Sequence, residues 1–105
     1  MIIKFSELLP VGSVVLLKNA LKKLMIIGLM PIKHQESGED LAYDYMGVPY
    51  PEGYIAQESA MLFNHDSINE IIFTGYSDDD RKIFVEAIQK LVDKTDEFIN
   101  TQDNN

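Results

Sequence analysis

The chain has 105 residues, 46% hydrophobic and 25% charged, with no cysteine and a formal net charge of -8 at pH 7. That balance is typical of a soluble globular protein, and the length suits a single domain spanning 1–105 that buries about two-thirds of its unfolded surface. The lack of cysteine excludes disulfides and thiolate metal sites.

Charge is distributed unevenly. Residues 1–35 carry five lysines against Glu7, giving +4, while residues 36–105 carry four basic against sixteen acidic residues, giving -12; +4 - 12 = -8. Such a chain disfavours nucleic acid and anionic membranes, and suits either solubility or a basic partner. The one long apolar run, Leu24 to Ile32, is nine residues, under half of the roughly twenty that a membrane helix needs. Lys22-Lys23 ahead of it lies too deep in the chain for a signal peptide, and no small-residue cleavage site follows. A cytoplasmic protein is expected.

In chain order, Ser6 to Leu9 suits one helical turn capped by Ser6, ended by Pro10. Val14-Val15-Leu16-Leu17 is a β-branched first strand, and Lys18 to Lys23 a hairpin loop in which Asn19 best tolerates a left-handed backbone. Leu24 to Ile32 is a second strand, apolar on both faces, with Gly28 placed for a bulge and Pro31 at its end. Lys33 to Asp40 is an exposed loop turning at Gly38.

Leu41 to Met46 is a third strand that runs into Y-D-Y-M-G-V-P-Y-P-E-G-Y, a block holding four of the five tyrosines and two of the four prolines. Alternation sets Tyr43 and Tyr45 on one face, and Tyr50-Pro51-Glu52-Gly53 fits a type I turn. Tyrosines on a proline-stiffened bend serve recognition well, offering contact area at low entropic cost. Their commoner use is core packing. The expected protein-binding residues are Tyr45, Met46, Pro49 and Tyr50, together with an open sheet edge available for strand addition.

Tyr54 to Gln57 reads as a brief return to the sheet, Glu58-Ser59 as a turn and Met61-Leu62-Phe63 as a short strand. Asn64-His65-Asp66-Ser67 is an Asx-type turn, and Ile68 to Thr74 the last strand. Ser77 then caps a helix opened by Asp78-Asp79-Asp80. Its stripe of Ile83, Phe84, Ala87, Ile88, Leu91, Val92, Phe98 and Ile99 calls for a partner surface. Residues 101–105 form a polar tail.

No catalytic constellation emerges. His34 and His65 have no partner at helical ligand spacing. Asp78-Asp79-Asp80 lacks the alternation and glycine of a calcium loop. Ser13, Ser67 and Ser77 have no nucleophile-elbow context, and no glycine-rich phosphate loop exists. Catalytic, cofactor and metal residues are therefore expected to be absent. Met25, Met30, Met46 and Met61 suit either core filling or an adaptable groove.

Five blocks in order carry a family resemblance: L-P-V-G-S-V-V-L-L-K (Leu9 to Lys18), K-L-M-I-I-G (Lys23 to Gly28), the tyrosine-proline block (Tyr43 to Tyr54), F-N-H-D-S-I (Phe63 to Ile68) and I-I-F-T-G-Y (Ile71 to Tyr76). Between Leu9 and about Phe84 the chain resembles domain-of-unknown-function family 4176, small proteins encoded beside type VII secretion and Leu-x-Gly toxin genes in Gram-positive bacteria. The resemblance implies an accessory role: binding a secreted toxin or other secretion substrate and keeping it soluble or export-competent. It supplies no catalytic residue.

The expected fold is α+β: a bent antiparallel sheet of four or five strands, with a partly open SH3-like barrel as one form of it, and the Asp78–Ile99 helix packed on the sheet. The expected function is a non-enzymatic cytoplasmic chaperone or adaptor. The alternatives are an immunity protein that neutralises a cognate toxin domain, and a small hydrolase or metal enzyme using His65 and Asp66.

Overall fold

The computed structural model describes residues 7–38 and 40–103; the expected cap at Ser6 lies outside them. The fold is α+β, an open five-stranded antiparallel sheet and a C-terminal helix. The strands are β1 (Val14–Leu17), β2 (Leu24–Leu29), β3 (Ile32–His34), β4 (Asp40–Ala42), β5 (Tyr45–Pro49), β6 (Met61–Phe63) and β7 (Ile68–Phe73), and α1 spans Asp79–Asp103. The large sheet has the order β6-β5-β2-β1-β7, while among the described residues β3 and β4 pair only with each other. Two compact units result among the described residues, one within 9–76 and one of 7–8 with 77–103.

Within the first unit, pairing decides which side chains meet, because residues opposite each other in a ladder share a face. Val15 lies opposite Leu24, Ile26 opposite Gly47, and Tyr45 opposite Phe63. Val15, Leu24, Ile26, Tyr45 and Phe63 are all buried, each such aliphatic contributing about 1.5–3 kcal/mol. Gly47 sits within β5. A Cβ there would stand 3.0 Å from Phe63 Cε1 and 3.2 Å from Met25 O, so its bare backbone is what lets the Phe63 ring lie against the strand.

The long apolar run is one strand, a turn at Met30-Pro31 and the first residue of the next strand. Met30 takes φ 53, so β2 ends at Leu29 and the chain turns off into the β3–β4 ribbon. The base of this ribbon closes where Met30 N–H donates to Asp44 O at 2.9 Å and Tyr43 N–H to Pro31 O at 3.0 Å. The expected Leu41–Met46 strand is interrupted there too. Tyr43 falls in the break and does not share the core face of Tyr45. The expected bulge near Gly28 is present as a register shift between Ile26 and Gly28, and Asn19 is left-handed at φ 62.

Ser13 is fully buried and locks the start of the sheet unit to its end. Its hydroxyl donates to Pro10 O at 2.7 Å and accepts from Gly75 N–H at 2.9 Å. That use leaves it structural.

In the second unit the helix begins one residue later than expected. Asp78, not Ser77, is the cap: its Oδ1 accepts Arg81 N–H at 3.2 Å, since a carboxylate at that position satisfies a first-turn amide. Arg81 Nη2 donates to Leu8 O at 2.7 Å. The helix runs past the expected Ile99 end to Asp103, so residues 101–103 of the expected tail are helical. Its apolar stripe is not the buried part, because Ile83, Phe84 and Leu91 are exposed, whereas Val85 is buried. No helix among the described residues is long and apolar enough to cross a membrane.

Candidate functional site

The four expected binding residues separate. Tyr45 is 0% exposed, and its hydroxyl is occupied: Leu9 N–H donates to it at 2.9 Å, and it lies 2.6 Å from His65 Nδ1. Its ring packs on Phe63 and His65, with centroids 5.4 Å and 5.8 Å away. It therefore belongs to the core and cannot present a contact surface. Met46 and Pro49 are half-buried. Tyr50 is 46% exposed and faces a groove together with Val14, Met25, Ile72 and Phe73 of other strands.

That groove, about 490 Å³, is lined by Val14, Lys23, Met25, Tyr50, Ile72 and Phe73. Register builds it. Phe73 lies opposite Val14, Val14 opposite Met25, and Met25 opposite Val48. Val14 and Val48 are buried while Phe73 is 60% and Ile72 42% exposed, so the apolar row rises from a buried floor to an open rim at β7. Tyr50 is held beside it because Tyr50 N–H donates to Lys23 O at 2.9 Å, which extends the β2–β5 ladder by one step.

The bend after Tyr50 differs from the expected type I turn. Tyr50–Pro51 is cis, and the loop closes over five residues, with Gly53 N–H donating to Pro49 O at 2.7 Å. Lys22 Nζ meets Glu52 Oε1 at 2.6 Å across from it. This hydrogen-bonded ammonium, helped by a backbone N–H, lowers the Glu52 pKa below the ordinary glutamate range. Tyr54 and Ile55 follow in irregular, exposed chain, so the expected return to the sheet does not occur.

A second open groove of about 490 Å³ runs along β6, lined by Lys33, Tyr43, Met46, Met61, Leu62 and residues 57–60. Met46 thus contributes here and Tyr50 at the first groove. The two residues do not share one surface.

The Asn64–Ser67 segment forms a 3-10 turn, His65–Ser67. It is not an Asx turn, for the Asn64 side chain reaches away to the bend between β4 and β5, its Oδ1 accepting Asp44 N–H at 3.1 Å. The buried Asp44 returns the bond, Oδ2 accepting His65 N–H at 2.8 Å. The carboxylate that His65 engages is therefore that of Asp44, through the backbone, and its ring is directed at Tyr45. Asp66 is exposed and has no bond to His65. The His34 side chain lies outside the described residues. Among the described residues no group of three or more His, Asp or Glu side chains gathers as a metal site.

The family model described as "Domain of unknown function (DUF4176)" matches residues 8–84, well over half of the chain. The chain belongs to that family. No curated protein and no solved structure matches. The DUF4176 match takes in the entire 9–76 sheet unit and, of α1, the stretch from Asp79 to Phe84. Both grooves lie inside the DUF4176 region.

Sequence reasoning missed Met25, Ile72 and Phe73 as partners of Tyr50. The available signal was that β7 is apolar at four of six positions, too many for a strand burying one face.

Proposed function

We propose that the chain is a non-enzymatic cytoplasmic chaperone or adaptor that holds a secreted toxin substrate of a type VII secretion system and keeps it soluble or export-competent. One observation carries the reading: an apolar groove whose rim, Tyr50, Ile72 and Phe73, stays open to solvent. Soluble domains rarely leave contiguous apolar surface open unless a partner covers it, and adaptable methionine and rigid tyrosine suit a protein partner. The neighbourhood of secretion and toxin genes suggested by the resemblance supplies the partner class. Deleting the gene lowers the abundance or the export of the neighbouring toxin, measured by immunoblot of cells and medium. Unchanged levels of both overturn the reading.

A second reading is favoured by the -12 charge of residues 36–105: an immunity protein whose acidic surface caps a basic toxin domain. Co-expression separates the two, because an immunity protein restores growth of a cell that makes the toxin.

A further inference from the structure

We infer that β7 is an addition site at which a basic, extended segment of the partner joins the large sheet as a sixth strand, with an apolar side chain entering the groove at Phe73. The inference rests on the protein-binding reading above and specifies where and how that binding occurs.

β7 is an end strand of the sheet and pairs only with β1 among the described residues. An unpaired strand edge is a template, and proteins usually blunt it with charged side chains (lysine above all), proline, bulges or short length. At the other edge, β6 has three residues. β7 has six, Ile-Asn-Glu-Ile-Ile-Phe, with neither lysine nor proline, and Ile71, Ile72 and Phe73 are exposed. The register steps from Val14 opposite Phe73 to Val15 opposite Ile71, and from Leu16 opposite Glu70 to Leu17 opposite Ile68. Ile72 and Asn69 are thus the extra residues of two bulges. Bulges break a long flat ladder, so only a short added strand fits, and side chains choose it.

Charge decides which strand. Glu70 is the only ionic residue of β7 and it is exposed. A second copy would bring another -8 against the first and a second Glu70 to the same edge. A segment carrying lysine or arginine is attracted instead, and the attraction also speeds encounter. The occupant is therefore a basic segment of a different protein, with apolar residues at alternate positions.

The test uses the full chain and two fluorescein-labelled octapeptides, one alternating lysine and valine and the other glutamate and valine, read by fluorescence anisotropy. The basic probe binds and the acidic one does not. Glu70→Lys weakens the basic probe at least about tenfold, as does Phe73→Ser, whereas Glu86→Lys, the same charge change on the helix, has little effect. Circular dichroism confirms that each variant is folded, and amide shifts in labelled wild-type protein concentrate at Glu70, Ile71 and Ile72. The proposal is overturned if Glu86→Lys matches Glu70→Lys, if the amide shifts fall elsewhere, or if sedimentation shows a wild-type dimer that Phe73→Ser dissociates. The same variants are tested for co-purification of the neighbouring toxin. Toxin held equally by all of them removes β7 but keeps the chaperone reading, and toxin not held by the wild type removes that reading itself.

Discussion

Tyr45 shows how a single hydroxyl can make an aromatic residue structural. Its oxygen takes the Leu9 amide and meets the His65 ring, joining residues 36 and 20 positions apart in the sequence. Tyr45→Phe keeps the ring packing and leaves the Leu9 amide without its acceptor, at a cost of about 1–3 kcal/mol in urea unfolding. Partner binding should be unchanged, because none of these groups reaches either groove. The neighbouring tyrosine in the same sequence block, Tyr50, is expected to behave oppositely, with Tyr50→Ala lowering partner affinity and leaving the unfolding midpoint near wild type. Composition could not separate the two, since both sit in the same run of aromatic and proline residues. The difference arises from Phe63 and His65 on one side and Lys23 on the other, all distant in sequence.

At the scale of elements, the legible strands were those with local punctuation. β1 follows Pro10 and Gly12, β7 ends before Gly75, and both are dense in β-branched residues. The division of the Leu24–Ile32 run was not legible, because it depends on Met30 holding a left-handed backbone that methionine seldom adopts alone, stabilised by its bond to Asp44. The groove was equally hidden. Val14, Met25 and Phe73 meet through strand register, which no local pattern encodes. Close backbone approach gives a graded test of this packing. A Cβ on Gly75 would collide with Val11 O and sit 2.9 Å from Ser13 N, whereas on Gly47 its closest neighbour is the Phe63 ring edge at 3.0 Å. A ring can shift and a hydrogen-bonded turn cannot, so Gly47→Ala should cost about 1–3 kcal/mol and Gly75→Ala more, compared by their urea midpoints.

For the whole molecule, electrostatics sets the working range. The sequence pI is about 4.5, so mutual repulsion between copies vanishes near that pH while the apolar rim at β7 remains open. Turbidity should peak there, and Phe73→Ser should lower the peak. The Lys22–Glu52 clasp weakens in the same region. A carboxyl whose folded pKa is depressed adds stability above its unfolded value, and the contribution is lost as pH falls through the folded one. Wild type and Glu52→Gln should therefore differ in thermal midpoint at neutral pH, only slightly because the pair is exposed, and converge below the glutamate range. Added salt should shrink the same difference at neutral pH.

The β3–β4 ribbon hangs from the ends of β2 and β5, shares no strand pairing with the large sheet among the described residues, and is closed at its base by two backbone bonds. It is a detachable cassette. Replacing 32–42 with a short glycine-containing hairpin turn should leave the thermal midpoint close to wild type and erase the Lys33 side of the β6 groove, while the groove at Tyr50 persists. An engineer could then give the same sheet a different tip.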